Sequence, residues 1–249
     1  MNAIYEPKGR AKEYAELACN LYRGCSHGCA YCYAPACLRM DREKFHTEVA
    51  PRAGILKALE HDAKKLSGTD KRVLLSFTSD PYQPLEKTEF ITRAALQILQ
   101  RYQVPASVLT KNGGLARRDF DLMQRGGIQF GSTIIFHDDG YRQGWEPGAS
   151  FTSERMDAVR EAHAMGIYTW ISVEPVIDVD EALAVMTTML PYVDFWKVGK
   201  LNYNIERERQ IDWQDFLERV EVVLKGKQYL IKQDLLEWAG RVHGEEMIL

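Results

Sequence analysis

The sequence predicts an α/β protein with one parallel sheet and its helices outside. Two observations lead there. Short, continuous apolar runs that read as buried strands alternate with segments of helical period, and stretches rich in polar residues, Gly and Pro follow those runs. About six strand–helix units result, and right-handed crossovers between parallel strands would curl such a sheet. At 249 residues the chain has room for a single large domain, and no Ser/Gly-rich linker or shift in composition marks a second.

The elements follow in order. A first strand is expected at residues 20–23. Ile55, Leu59 and Leu66 share a helical face that opens after Pro51, and residues 73–77 (Val-Leu-Leu-Ser-Phe) form a buried strand. Ile91, Ala95 and Ile98 mark a helix with Thr88 as its cap, residues 106–110 a strand, and residues 115–125 a helix stopped by Gly126-Gly127. Residues 128–136 are the next strand. Met156, Val159 and His163 line a helix that ends at Gly166, and residues 168–173 are again a strand. Asp178 and Glu181 have the spacing of a capping box before Ala182, Val185 and Met189. A strand at 194–199, an amphipathic helix through Phe216, Val220 and Val223, and an extra strand at 229–231 complete the pattern.

Composition excludes several classes. Hydrophobic residues make up 45% and charged residues 27%, so disorder is excluded. With 32 Lys and Arg against 35 Asp and Glu the net charge is −3, which gives no global attraction toward a phosphate backbone. The basic pairs at Lys64-Lys65, Arg117-Arg118 and Arg207/Arg209 read as solvated faces. Residues 1–10 carry neither an export signal nor a membrane anchor, and no long apolar run follows. A cytoplasmic protein with no membrane partner is therefore expected, its cysteines kept reduced.

Cys25, Cys29 and Cys32 lie in the spacing CxxxCxxC. Thiolates are soft ligands that select iron–sulfur clusters, zinc or cuprous copper. A simple electron-transfer [4Fe–4S] cluster takes four of them, so three leave one iron open to bind a small molecule. The alternatives are a Cys3His zinc site with His27 as fourth ligand, or three inert thiols. His27 sits between two of the cysteines, where it would have to fold back into a tight ring, whereas zinc modules usually draw two ligands from each of two separated clusters. Cys19 and Cys37 have no CxxC partner and read as buried or incidental thiols.

The cysteine spacing, with Asn20-Leu-Tyr-Arg-Gly-Cys25, His27-Gly-Cys29 and Tyr31-Cys-Tyr-Ala34 around it, resembles the radical S-adenosylmethionine (SAM) enzymes, and within them the spore photoproduct lyase-related branch. That resemblance implies a partial (β/α)6 TIM-like barrel with the cluster loop after the first strand. The core would span about residues 17–200, with a short helical extension over about 201–249. It further implies a [4Fe–4S] cluster on Cys25, Cys29 and Cys32, SAM chelated by the open iron, and a one-electron donor of flavodoxin or ferredoxin type. Cleavage of SAM would give a 5′-deoxyadenosyl radical that takes hydrogen from a substrate. Nucleic acid or nucleotide leads as substrate, with a peptide or small molecule next. The rival from another class is a zinc-binding or nucleic-acid-binding module without catalysis.

In parallel α/β folds ligands lie at the carboxyl ends of the strands. Here those ends are residues 78–84 (Thr-Ser-Asp-Pro-Tyr-Gln-Pro), 110–114 (Thr-Lys-Asn-Gly-Gly), Ser132 with 137–139, and 173–175 (Val-Glu-Pro). SAM carries an ammonium, a carboxylate and a sulfonium; Ser79 and Asp80 suit the first, Lys111 the second, and Gly113-Gly114 offers bare backbone for close approach. The branch carries Thr78-Ser79-Asp80 where many radical SAM enzymes have Gly-Gly-Glu, and Lys111, Ser132 and Glu146-Pro-Gly148 also match it, so the resemblance covers residues 20–177. Tyr31 and Tyr33 would pack on adenine or relay a hydrogen atom, and Glu174 would meet ribose or substrate. Each feature also has a plain reading: Thr-Ser-Asp-Pro opens turns, a strand-end lysine is a surface charge, and Gly-Gly marks a turn. One departure stands out. The lyases carry a hydrogen-donating cysteine just before the Thr-Ser-Asp segment, and Phe77 stands at that place here.

Overall fold

The structure, a computed structural model, describes residues 2–240. In chain order the strands are β1 (Ile4–Tyr5), β2 (Leu17–Cys19), β3 (Tyr22–Arg23), β4 (Ala50–Pro51), β5 (Val73–Leu75), β6 (Ala106–Thr110), β7 (Gln129–Thr133), β8 (Thr169–Val176), β9 (Phe195–Lys200) and β10 (Gln228–Ile231). Eight of them form one sheet in the order β1-β2-β5-β6-β7-β8-β9-β10, while β3 and β4 pair separately as a small antiparallel ribbon. From β2 to β10 every pairing in the main sheet is parallel, and only the edge strand β1 is antiparallel. Helices Ile55–Leu66, Ile91–Arg101, Phe120–Gly126, Thr152–Ala164, Val179–Met189 and Trp213–Val223 make the successive crossovers. No pairing joins β1 to β10, so the sheet stays open, as a partial barrel does.

The strands separate two environments by parity, because successive side chains leave a strand on opposite faces. Val73, Leu75, Ala106, Val108, Phe130, Ile171, Val173, Trp196 and Val198 face the helices and belong to the main apolar core. The alternate positions Ser107, Gly131, Trp170, Ser172, Glu174 and Lys197 face the lumen of the curved sheet. There the side chains are polar or aromatic and cavities form. Gly131 is needed at this radius. A Cβ on it would stand 2.1 Å from Cε2 of Trp170, whose indole N–H is fixed by a 2.9 Å hydrogen bond to Ser107 Oγ.

Several sequence expectations shift. The first parallel strand is residues 17–19, not 20–23, because Asn20 turns its side chain inward and accepts the N–H groups of Phe77 and Thr78, both at 2.9 Å. Only Tyr22 and Arg23 of the expected segment are extended, and they pair with β4. Thr88 does not cap the next helix. The buried carboxylate of Glu86 does, accepting from Thr92 N at 2.9 Å. Asp178 caps its helix through Asp180 N and Glu181 N, but Glu181 does not reciprocate; its carboxylate accepts from His137 N and Asp138 N at 2.7 and 2.8 Å. The expected helix over 115–125 breaks into Gly113–Ala116, a 3-10 turn at Arg117–Asp119, and Phe120–Gly126. The segment after residue 200 supplies β10, a seventh parallel strand, as well as helices; residues 241–249 of the expected extension lie outside the described residues. No described helix is long and apolar enough to cross a membrane.

Gly131→Ala is expected to lower the unfolding free energy by about 1–3 kcal/mol through overpacking against Trp170; urea denaturation of variant and parent side by side checks it, and equal midpoints would refute the lumen contact.

Candidate functional site

The cysteine loop lies after β2 at the carboxyl end of the sheet and is clamped from four directions. Arg42, at the start of helix Arg42–Thr47, donates to the carbonyls of Cys29, Ala30 and Cys32 at 2.6, 2.7 and 3.0 Å. His46 Nδ1 meets Cys25 O at 2.7 Å, and Ser26 N donates to Gln83 Oε1 at 3.1 Å. From the fourth side comes Glu146-Pro-Gly148. Gly148 N donates to His27 O at 2.8 Å, and a Cβ at Gly148 would sit 2.6 Å from Ser26 O, so only bare backbone fits against the loop. Tyr31 donates its hydroxyl to Glu146, whose other oxygen is 2.7 Å from Arg155 Nη1; both charged groups are almost fully buried. Arg155 and then Lys111 hold the Glu146 carboxyl below its ordinary value despite that burial, and Tyr31 is pushed well up by burial and by Glu146.

The loop closes one side of a cavity of about 420 Å³ lined by Cys25, Cys29, Cys32, Ser79, Lys111 and Glu174, among others. Burial raises all three thiols, Cys29 to about 12, so they hold their protons at neutral pH. Backbone N–H groups of His27 and Asp80 point at the Cys25 sulfur, and that of Ala34 at Cys32. Hydrogen bonds to sulfur of this kind tune iron–sulfur clusters. Among the described residues no three His, Cys, Asp or Glu side chains converge on one point where a single ion would sit. Each thiolate of a cluster takes a different iron, so three soft donors facing one cavity, with N–H groups on two of the sulfurs, fit such a group.

The other predicted residues fall into distinct places. Ser79 Oγ is buried at the cavity wall without a hydrogen-bond partner, and so are Ser76 Oγ and His27 Nε2. The Lys111 ammonium stands 5.6 Å from the Tyr31 ring centroid. Burial works against its charge, yet the neighbouring Cys29 in its thiolate form, with Glu146 and Asp80, would hold its pKa above the ordinary lysine value.

Asp80 lines the cavity but has no free capacity for an ammonium. Its Oδ1 accepts from Tyr82 N at 2.8 Å and Thr110 Oγ1 at 2.6 Å, and its Oδ2 from Lys111 N at 2.7 Å, with His27 Nδ1 at 3.4 Å. Burial lowers the His27 pKa. Ser132 is not brought to the site. It shares the helix-facing side of β7 with Phe130, and its hydroxyl donates to Thr110 O at 3.0 Å; Thr133, one residue on, lines the cavity instead. Gly113-Gly114 also lies elsewhere, with Gly113 packed so closely on the following helix that a Cβ would stand 2.8 Å from Ala158 Cβ. Tyr33 lines the cavity and donates to Phe77 O at 2.9 Å. Glu174 accepts the hydroxyl of Tyr14, and burial raises its pKa. Cys19 is buried in the sheet, and Cys37 is exposed at the cavity rim. Sequence reading missed Arg42, Ser76, Thr133 and Tyr14. Strand parity carried forward from Leu74 and Gly131 would have pointed to the middle two.

The open parallel α/β sheet and its helical crossovers have the fold seen in spore photoproduct lyase and in SuiB. Spore photoproduct lyase complexed with dinucleoside spore photoproduct superposes with a TM-score of 0.62 at 17% identity, over 89% of this chain and 64% of that one. Streptococcus suis SuiB bound to S-adenosylmethionine gives a TM-score of 0.66 at 10% identity, over 92% of this chain and 53% of that one. An uncharacterized protein of Methanocaldococcus jannaschii is 27% identical over 213 residues, 84% of this chain and 80% of that protein. An uncharacterized protein of Mycobacterium tuberculosis is 29% identical over 166 residues, 64% of this chain and 48% of that protein. The chain thus spans less than two thirds of the lyase and about half of the mycobacterial relative. No family model matches the chain.

Asp80→Asn turns one of the acceptor oxygens into a donor facing N–H and O–H groups, and is expected to cost about 1–3 kcal/mol; a urea titration that shows no loss would refute the geometry around this carboxylate.

Proposed function

We propose that the chain is a radical SAM enzyme. The observation that carries this reading is the cavity itself: three thiols with backbone N–H groups on two of the sulfurs share one pocket with the unpartnered hydroxyls of Ser76 and Ser79 and with Lys111. Cys25, Cys29 and Cys32 would hold a [4Fe–4S] cluster, and SAM would occupy its open iron. When bound and reduced by a one-electron donor of flavodoxin or ferredoxin type, the cluster supplies the electron that cleaves SAM to methionine and a 5′-deoxyadenosyl radical, which takes hydrogen from the substrate.

The chain's own residues bind, orient and exclude water. Lys111, kept cationic by the carboxylates around it, meets the carboxylate of SAM as a charge-assisted hydrogen bond. Ser79 and Ser76 offer hydroxyl oxygens to the ammonium, a role that Asp80 leaves to them because its own oxygens are already engaged. Asp80 positions instead, holding the Lys111 backbone beside the cysteine loop. Tyr31, with its hydroxyl held by Glu146, presents its ring to Lys111, and Tyr33, whose hydroxyl donates to Phe77 O, lines the cavity together with Phe77.

A nucleic acid or nucleotide substrate is supported by the likeness to a lyase solved with a dinucleoside spore photoproduct; Phe77 lines the cavity and, unlike a cysteine, has no thiol hydrogen to return to a substrate from that position. A peptide or small molecule is the second substrate class. The class alternative, a zinc module without catalysis, predicts a colourless protein.

Anaerobic protein reconstituted with iron and sulfide is expected to be brown and, given dithionite and SAM, to release 5′-deoxyadenosine, with Cys25→Ala, Cys29→Ala and Cys32→Ala each losing iron. A fully loaded cluster that yields no nucleoside, or stoichiometric zinc in its place, removes the reading. Lys111→Met is expected to weaken SAM binding about ten- to a hundredfold, the loss of one charge-assisted contact, and calorimetric titration with SAM on the cluster-loaded protein measures it.

A further inference from the structure

A second cavity, of about 330 Å³, lies at the opposite end of the lumen, lined by Arg72, Ser107, Gln129, Trp170 and Lys197 among others. Tyr14 is the single described residue that lines both this cavity and the upper one. It is carried in by the segment preceding β2, whose 3-10 turn Gly9–Glu13 has no buried residue and makes several polar contacts. Those contacts reach the last strand–helix unit: Arg10 to Asp234 at 3.2 Å, Gln233 N to Glu13 Oε2 at 2.9 Å, and Lys232 Nζ to Arg10 O at 2.9 Å. The segment therefore bridges the gap that β1 and β10 leave open.

Inside the lumen every part of Tyr14 is held. Its hydroxyl bonds Glu174 and lies 2.6 Å from Ser172 Oγ, and its carbonyl accepts from Lys197 Nζ at 2.5 Å. Its ring has Lys197 and Lys232 ammonium groups 4.5 and 4.8 Å from the centroid and meets Phe77 edge-on at 5.9 Å. Cations over both ring and carbonyl fix the side chain across the lumen.

We propose that Tyr14 is the floor of the candidate active site, a specificity-determining residue whose ring shuts the lower cavity off and so sets how far a substrate reaches into the sheet. The inference rests on the reading of the upper cavity as the substrate site. The floor it describes is polar, made of the Tyr14 hydroxyl, Ser172 and Glu174. Among the described residues only one Glu174 oxygen is engaged, by Tyr14, so the floor favours a substrate whose inner end donates a hydrogen bond. Without the ring the two cavities join into one passage with Lys197 at its lower end.

The test uses the full chain and 1-anilinonaphthalene-8-sulfonate as the probe, titrated calorimetrically at pH 6. That is below the value of about 7 to which burial and then Lys232 bring Lys197 down, so its amine is charged and meets the sulfonate. Tyr14→Ala is expected to bind the probe at least tenfold more tightly than the parent, and Tyr14→Phe, which keeps the ring, to stay within twofold of it. Adding Lys197→Met to Tyr14→Ala is expected to reverse most of the gain. Affinity within twofold of the parent in Tyr14→Ala overturns the proposal, and so does a gain that survives Lys197→Met, since that marks a loosened fold rather than an opened floor. Should Tyr14→Ala lack a cooperative thermal transition, Tyr14→Leu decides in its place: threefold or better tightening supports the floor, and parent-like affinity refutes it. Iron content and 5′-deoxyadenosine on the same preparations report separately on the enzymatic reading.

Discussion

The site depends on one buried carboxylate. Asp80 receives hydrogen bonds from the turn after β5, from the end of β6 and from the backbone of Lys111, and it faces His27 of the cysteine loop. Three segments far apart in sequence are thereby referenced to a single acceptor. A buried anion is tolerated only when its lone pairs are met, and here the meeting of those lone pairs is what registers the loop against the strand ends. Lys111 is fixed at its own N–H and leaves only its side chain to reach into the cavity.

Around that anchor the cysteine loop is held almost wholly through its backbone. Arg42 takes three carbonyls, His46 and Gln83 take one group each, and Gly148 closes on the loop with no side chain between. Side-chain sulfurs are left facing the cavity with N–H groups behind two of them. A loop that binds metal through its side chains needs this division, because the ligand atoms must be free while the chain that carries them is not. The buried Glu146–Arg155 pair serves the same end beneath Tyr31.

The lumen follows a different rule from the helix-facing side. Apolar residues of one parity build the core, while Ser, Lys, Glu and Trp of the other parity line two cavities divided by Tyr14. Because the sheet is open between β1 and β10, the lumen has to be completed by chain from outside it. The segment ahead of β2 does this with polar contacts to the last unit, so the first and last parts of the described chain meet at the candidate site.

Much of this was legible from local pattern. Apolar runs and helical periods gave the alternation of strands and helices, and the CxxxCxxC run, Thr78-Ser79-Asp80 and Lys111 all line one cavity; each of these patterns depends on neighbours within a few residues. Contacts across the sheet were not legible. Nothing local says that the hydroxyl of Ser132 points at Thr110 O, that Gly113 serves a neighbouring helix, or that Glu86 rather than Thr88 caps a helix. The sequence by itself determined which residue types were available and in what order the strand ends would present them. Tertiary structure decided which of those groups were already satisfied by partners 20 or more positions away, as with Asp80 and Ser132, and which, like Ser79 and Lys111, were left with capacity for a ligand. The reason is physical: a hydrogen-bonding group is free or engaged only with respect to atoms that folding brings beside it.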